Sequence, residues 1–160
     1  MNLLPYNEFS VFVPLPQWEV CRRLLENVSE KTFWSDIFRG NSKFQGDVQE
    51  TYFKIYRNIG YRNSGLPILH GLLEETEGGT KIIVKMKLHK FVQLFFFFWV
   101  FTSISFVVKG VDNYMTGLIM IIAATAIIYL GFWFEVGKSK SMFIEIFEKE
   151  IGAANQALRP

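Results

Sequence analysis

Two long stretches without a charged side chain dominate the hydrophobic pattern of this chain. Residues 91–108 are 18 consecutive positions without a formal charge, and residues 114–134 are 21 more. As a helix, the first stretch is about 27 Å long, close to the ~30 Å thickness of a bilayer's hydrocarbon core. The connection "KGVDN" between them is rich in turn formers. Because a 160-residue chain has too little other protein to cover two such helices, the pattern predicts a transmembrane hairpin over residues 91–134.

The segment before the first stretch alternates with a period of two. Residues 81–89 place apolar side chains at even positions and lysine or histidine at four of the five odd positions. This pattern predicts a strand with one packed and one wet face, as in an antiparallel sheet. Shorter patterns of the same kind predict further strands within residues 9–16, 43–49, 51–60 and 66–75.

Helical spacing flanks these strands on both sides. Trp18, Cys21, Leu25 and Val28 predict an amphipathic helix, and a stripe from Met142 to Ile151 predicts a closing helix that covers the sheet. The fold class we expect is therefore an α+β membrane protein, with a small antiparallel sheet, packed helices and a two-helix transmembrane hairpin. Residues 1–90 and 138–160 form the cytoplasmic α+β domain in this interpretation, and residues 91–134 form the hairpin.

The distribution of lysine predicts how the hairpin is oriented. Lysines flank the outer ends of both apolar stretches, whereas the connection between the stretches carries one. Since positive residues favour the cytoplasmic side, we expect a multi-pass protein of the inner membrane with both termini in the cytoplasm. The residues predicted to lie at the membrane interface are Lys85, Lys87, His89, Lys90, Lys138 and Lys140.

The chemistry-bearing residues give little support to catalysis. The chain has two histidines and a single cysteine, with no metal-ligand spacing and no phosphate-binding glycine loop. We therefore expect no enzyme activity, no metal and no cofactor. The net charge of +2 is too small to indicate a nucleic-acid partner.

One segment, "KIYRNIGYRN", is the best candidate for ligand binding. Its arginine forks suit phosphate or carboxylate, and its aromatic faces suit a base. Arg57 shares a strand face with apolar residues, so it must be paired, reach water or meet a ligand. Pairing with a nearby acid such as Asp47 or Glu74, or contact with lipid headgroups, is the simpler alternative. The predicted ligand-binding residues are Lys54, Arg57, Tyr61, Arg62 and Asn63.

Two resemblances add to this interpretation. The segments "FKIYRNIGYRNSGLPILHG" and "GTKIIVKMKLHKFV" are similar to a group of small, uncharacterised bacterial two-span membrane proteins, which implies no particular activity. The order of a strand, a helix, a run of strands ending at "GGT" and a closing helix resembles the START-like helix-grip fold. That resemblance implies a curved sheet around a C-terminal helix, over an apolar cavity. A pleckstrin-like or split barrel fits the same order of elements nearly as well.

Three functions follow as hypotheses. The first is a membrane-anchored binding or docking protein without catalysis, whose partner is the lipid bilayer. The alternative is a ligand-gated, membrane-perturbing effector that forms pores as a homo-oligomer, of the kind that suits bacterial defence. The third is a lipid-binding START-like domain. A homo-oligomer and a small anionic ligand or lipid stay open as further partners.

Overall fold

The computed structural model describes residues 4–29, 42–60, 65–108, 114–148 and 151–152. The described part of the chain forms six strands and three helices and is therefore α+β, as the pattern predicted. In chain order they are β1 (Tyr6–Val13), α1 (Gln17–Asn27), β2 (Val28–Ser29), β3 (Phe44–Val48), β4 (Tyr52–Arg57), β5 (Pro67–Thr76), β6 (Gly79–Leu88), α2 (Lys90–Val108) and α3 (Tyr114–Glu145).

The strands form one sheet in the order β1-β6-β5-β4-β3-β2. The expectation of a purely antiparallel sheet was wrong in one detail, because β2 runs parallel to β3 and the sheet is mixed. All other neighbours in the sheet pair antiparallel. Since β2 has only two residues and follows α1 directly, it leaves no alternation in the sequence by which it could be predicted.

One face of the sheet carries the hydrophobic core. Phe143 of α3 lies over it and contacts four other rings, with centroid distances of 5.5 to 6.4 Å. Gly71 is required here, because a Cβ at that position would lie 1.9 Å from the ring of Phe53 on the next strand. The glycine lets Phe53 lie flat beneath Phe143, with an interplanar angle of 26°. The residues of the core are Val13, Val20, Leu24, Phe44, Phe53, Ile55, Leu69, Leu73, Ile82, Val84, Met86, Leu88, Phe132, Val136, Phe143 and Phe147.

Helix α1 packs on the sheet through a different stripe from the predicted one. Val20 and Leu24 are its buried residues, whereas Trp18 and Leu25 are 68% and 54% exposed. Cys21 lies at the edge of the contact, where its thiol donates to the carbonyl of Gln49 at 3.7 Å. Partial burial raises the pKa of this thiol, so the lone cysteine is a weak nucleophile.

Helix α3 unites two predicted elements in one continuous helix. Its 32 residues make it about 48 Å long at ~1.5 Å per residue. The sequence instead predicted a span that ends at residue 134 and a separate closing helix. The first part of α3 is exposed and apolar, and the last part, from Phe132 to Phe143, contributes buried residues to the core. Among the described residues, α3 is the one helix that is long and apolar enough to cross a membrane.

Helix α2 packs against the exposed part of α3. The indole Nε1 of Trp99 donates to the carbonyl of Met120 at 3.4 Å. A Cβ at Gly117 would lie 2.9 Å from the carbonyl oxygen of Ser103. Residue 103 comes after residue 99 on α2, whereas its contact on α3, residue 117, comes before residue 120. The two helices are therefore antiparallel. Gly117 permits their backbones to approach closely.

Strand β6 leads into α2 with one intervening residue, and this fixes which end of the sheet adjoins the two helices. Leu88 is the last residue of β6 and pairs with Pro67, the first residue of β5. Arg57 is the last residue of β4, which pairs with β5 on its other side. We call these strand ends, from Pro67 and Leu88 to Arg57, the helix end of the sheet. The β5–β6 turn at the opposite edge is remote from α2.

Candidate functional site

A buried ion pair joins the helix end of the sheet to α3. Nη2 of Arg57 donates to Oε2 of Glu135, and the two side chains are 6% and 1% exposed. Arg57 is on the packed face because it lies two and four positions after the buried Ile55 and Phe53. Glu135 follows the apolar part of α3 directly. A buried charge without its partner is strongly unfavourable, so this pair holds the sheet and the helix in one relative position.

A close backbone contact lies one helical turn away from this ion pair. A Cβ at Gly65 would lie 2.9 Å from the carbonyl carbon of Gly131, so the segment before β5 touches the backbone of α3. We call the group of Arg57, Gly65, Gly131 and Glu135 the neck. Its two contacts clamp α3 where the exposed apolar part of the helix meets the domain.

The residues predicted to bind a ligand do not all come together. Lys54 and Arg57 lie on β4 but on opposite faces of the sheet, Lys54 exposed and Arg57 buried. Tyr61, Arg62 and Asn63 lie outside the described residues. Arg57 pairs with Glu135, 78 positions later in the chain. Asp47, one of the nearby acids considered, is exposed and is the cross-strand partner of Lys54. It therefore lies on the face of the sheet that Arg57 does not occupy.

Five of the six residues predicted at the membrane interface make a contact that the structure describes. The amide of Phe91 donates to Nδ1 of His89 at 3.1 Å, so His89 caps the start of α2. Ring or carboxylate contacts hold four of the lysines. On β6, Nζ of Lys85 is 3.9 Å from Glu8 and Nζ of Lys87 is 5.8 Å from the centre of the Tyr6 ring. On α3, Nζ of Lys138 is 4.0 Å from the Phe134 ring and Nζ of Lys140 is 5.0 Å from the Phe9 ring. Lys90 is exposed as the first residue of α2.

The open face of the sheet carries a row of polar side chains across five strands. The row runs Glu8, Lys85, His70, Lys54 and Asp47, each paired with the next. Partial burial, followed by the positive charges of Lys54 and Lys87, lowers the pKa of His70. Both effects favour the neutral form of His70.

A tyrosine at the edge of this face is also perturbed. The hydroxyl of Tyr6 donates to Glu8, and this hydrogen bond to a carboxylate raises the pKa of Tyr6 to about 12. Tyr6 therefore stays protonated at every pH of biological interest.

A groove of about 640 Å³ runs along α3 beside the neck. Arg57 and Lys138 lie at the end of the groove near the neck, and Glu145 and Glu148 lie toward the other end. Lys43 pairs with Glu145 at 2.9 Å. Apolar and hydroxyl side chains lie between the charged ends. The described lining is Arg57, Lys138, Ser141, Met142, Ile144, Glu145 and Glu148.

Glu135 is the residue of this site that sequence reasoning missed. A signal existed, since Glu135 is the first charged residue after 21 uncharged positions, and Arg57 was already assigned to an apolar strand face. Each side chain required a buried partner of opposite charge, so they could have been matched with one another. Only the path of α3 across the sheet brings them together.

Comparisons with known proteins give this chain no family. No protein-family model matches it, and neither a curated protein nor a solved structure matches it significantly. Both resemblances therefore stay predictions. Within the described ranges, no three His, Cys, Asp or Glu side chains lie together as metal ligands would.

Proposed function

We propose that this chain is an integral membrane protein in which α2 and α3 cross the bilayer as a hairpin and hold the α+β domain at the membrane surface. The observation that carries the proposal is the exposure of large apolar side chains along both helices. Only 11% of the apolar window of α3 is buried within the protein. The exposed residues include Phe91, Leu94, Phe95, Phe97, Phe98, Phe101, Ile104, Val108, Leu118, Ile119, Ile122, Ile127, Leu130, Trp133 and Phe134.

The polar groups of α2 support insertion into lipid. A bilayer offers no water to a hydroxyl, so each must find a partner within the protein. Thr102 and Ser103 donate to the carbonyl of Trp99 at 2.9 and 2.8 Å, and Ser105 donates to that of Phe101 at 3.1 Å. These bonds follow the backbone of the same helix, so α2 presents no unsatisfied hydroxyl at these positions.

The neck supports docking as the role of the anchor. The Arg57–Glu135 pair and the Gly65–Gly131 contact both join α3 to the sheet side of the domain, which supports a fixed orientation of the domain relative to the span. In this proposal the open face, with its row of lysine, histidine and carboxylate side chains, meets a partner at a defined orientation to the membrane. The lysines near the helix end contribute about 1 kcal/mol each against anionic lipid headgroups.

The packing of the core favours this function over a lipid cavity in the START-like manner. The space between the sheet and α3 contains the ring of Phe143 and the four rings that it contacts. Side chains therefore occupy the place where a helix-grip fold would hold a lipid. The pore-forming function stays a prediction.

Labelling of single cysteines tests the proposed topology. In a Cys21→Ser background, Lys81→Cys reports on the domain, and Asp112→Cys reports on the connection between the helices. A membrane-impermeant maleimide should label Asp112→Cys in intact cells and Lys81→Cys only after permeabilisation. Carbonate-washed membranes should retain both variants. Labelling of both positions from one side, or release by carbonate, would refute the hairpin.

A further inference from the structure

His70 lies at the centre of the open face, between two lysines. Strand β5 lies between β4 and β6, and the cross-strand partners of His70 are Lys54 on β4 and Lys85 on β6. Lys87 follows Lys85 by two positions and therefore points to the same face. All four side chains are exposed. The centre of the open face thus holds three ammonium groups around one imidazole.

The carboxylates of the open face lie at its margins. Glu8 is on β1 at one end of the sheet order, Asp47 is on β3, and Glu74 is near the β5–β6 turn. Nζ of Lys85 is 3.9 Å from Glu8, whereas Asp47 accepts from the side-chain amide of Gln49 at 3.0 Å. Of the three central lysines, Lys85 is therefore the one that shares its charge with an acid.

The other two lysines leave a positive potential at the centre of the face. Among the described residues, neither Lys54 nor Lys87 has a carboxylate oxygen within 4 Å. Nζ of Lys87 lies 5.8 Å from the centre of the Tyr6 ring. Partial burial lowers the pKa of His70, and the charges of Lys54 and Lys87 lower it further. An anion over the imidazole would offset both of these charges.

The register of the strands brings these groups within reach of one small anion. The Cβ atoms of cross-strand partners are about 5 Å apart, and those of diagonal neighbours are about 7–8 Å apart. Lys54 is a cross-strand partner of His70, and Lys87 is a diagonal neighbour. Because each lysine has a flexible four-carbon stem, both ammonium groups can meet an anion that lies on the shorter imidazole.

We propose that the centre of the open face binds a phosphate monoester, with the phosphate over the imidazole of His70 and between Lys54 and Lys87. The inference rests on the binding role proposed above for the open face, and not on the membrane crossing. Two ammonium groups match the charge of about −1.5 to −2 that a monoester carries near pH 7. Together with the imidazole N–H, they supply one donor for each of its three terminal oxygens. A carboxylate or a phosphate diester brings a single charge and leaves part of the site unmatched.

NMR of the imidazole rings tests this inference, because the chain contains only two histidines. In uncharged detergent, chloride is replaced by methyl phosphate at constant ionic strength. The replacement should raise the pKa of His70 toward its ordinary range, because a bound anion favours the charged form. The ring of His89, which caps α2 beyond the end of β6, should respond far less. An unchanged His70 ring would overturn the inference.

Substitutions separate the site from the general charge of the face. Lys54→Gln and Lys87→Gln should each weaken the binding of methyl phosphate about tenfold, since each removes a hydrogen bond to a charged group. Lys81→Gln removes the same charge from the same face at the far end of β6 and should bind as the wild type does. A loss with Lys81→Gln as large as that with Lys54→Gln would show unspecific attraction and would overturn the inference.

The pH dependence of binding tests the role of the imidazole. Relative to His70→Gln, wild-type protein should bind methyl phosphate more tightly as the pH falls from neutral to mildly acidic, because the protonated ring adds a positive charge. The comparison at each pH cancels the protonation of methyl phosphate itself. An equal pH dependence in the two proteins would remove His70 from the site and overturn the inference.

Ligand comparisons assign the chemistry and its source. Dimethyl phosphate, a diester, and acetate should each bind about tenfold more weakly than methyl phosphate, and equal binding of either would overturn the monoester assignment. Nanodiscs with phosphatidic acid, whose headgroup is a monoester, are compared with nanodiscs that contain the same fraction of phosphatidylglycerol. A larger response of the His70 ring to phosphatidic acid would support a lipid source, and equal responses beside tight binding of methyl phosphate would support a soluble one.

Failure of this inference is distinguishable from failure of the proposed topology. If methyl phosphate and phosphatidic acid both leave the His70 ring unchanged, the phosphate assignment fails. The membrane anchor depends on the labelling of Lys81→Cys and Asp112→Cys, and it stands or falls by that result alone.

Discussion

The Arg57–Glu135 ion pair of the neck supports a quantitative prediction. Arg57→Met keeps much of the side-chain volume but removes the positive charge that lies against the carboxylate of Glu135, whose side chain is 1% exposed. Removal of one partner from a buried pair costs about 3–5 kcal/mol. For a chain of this size each kcal/mol lowers the melting temperature by roughly 2–4 °C, so the expected loss is roughly 6–20 °C. Heating detergent-solubilised protein while tryptophan fluorescence is recorded measures it.

An exposed ion pair in the same protein provides the matched control. Lys43 and Glu145 are 2.9 Å apart, with side chains 36% and 56% exposed. Since pairs in contact with solvent contribute about 0–1 kcal/mol, Lys43→Met should change the melting temperature by only a few degrees. Each methionine variant removes the positive partner of one ion pair. The difference between their melting temperatures therefore reports on how deeply the remaining charge is buried.

A double variant separates the effect of charge from that of packing. Arg57→Met combined with Glu135→Leu removes both buried charges, and such replacements are often neutral or stabilising. The double variant should therefore regain most of the stability lost by Arg57→Met alone. Equal melting of Arg57→Met and Lys43→Met would refute the buried pair. A double variant as unstable as the single one would mean that packing of the arginine stem, and not the ion pair, stabilises the neck.

Three further predictions concern single positions. Gly71→Ala should destabilise the protein by about 1–3 kcal/mol, because the new methyl group displaces the ring of Phe53. The control, Gly137→Ala at an open position of α3, should instead stabilise the protein by about 0.5–1 kcal/mol. Melting curves measure both changes. Gly117→Leu should separate α2 from α3, which cross-linking of cysteines placed on the two helices detects. Folding lowers the pKa of His70 and so favours its neutral form. The resulting contribution to stability is present above pH 6.5 and is lost as the pH falls from 6.5 through the lowered pKa of the folded state. The melting temperature of His70→Gln should therefore depend less on pH in that window.

Specific results would contradict each of these three. Wild-type melting of Gly71→Ala would mean that the Phe53 ring has room to move. Unchanged cross-linking in Gly117→Leu would show that the two helices do not rely on the close contact. If wild-type protein and His70→Gln lost stability equally between neutral and mildly acidic pH, then partial burial and the neighbouring lysines would not favour the neutral form of His70 in the folded state.

The sequence alone predicted most of the local structure correctly. Alternation from residue 81 to 89 assigned the even-numbered apolar residues and the lysines of β6 to their observed faces, since successive side chains of a strand point to opposite sides. The same rule already placed Lys54 and Arg57 on opposite faces of β4. Grouping both in one ligand site was therefore in tension with the pattern from which the strand was predicted.

Boundaries between elements were harder to predict. The break expected between residues 134 and 138 does not occur, and α3 continues to Glu145. Gly137 is the one helix-weakening residue between Phe134 and Lys138, and a glycine costs a helix only about 1 kcal/mol. Packing of Val136 and Phe143 on the sheet outweighs that cost. Local propensity cannot include this contribution, because the contacts that provide it come from distant strands.

The sequence by itself therefore determined the two apolar helices and the wet and packed faces of the strands, because these follow from side-chain periodicity along a short segment. Only the tertiary structure decided that Glu135 meets Arg57 from 78 positions away and that Lys138 and Glu148 line one groove. Those pairings depend on where a continuous α3 crosses the sheet. That crossing is set by the shape and burial of the whole core, which no local pattern encodes.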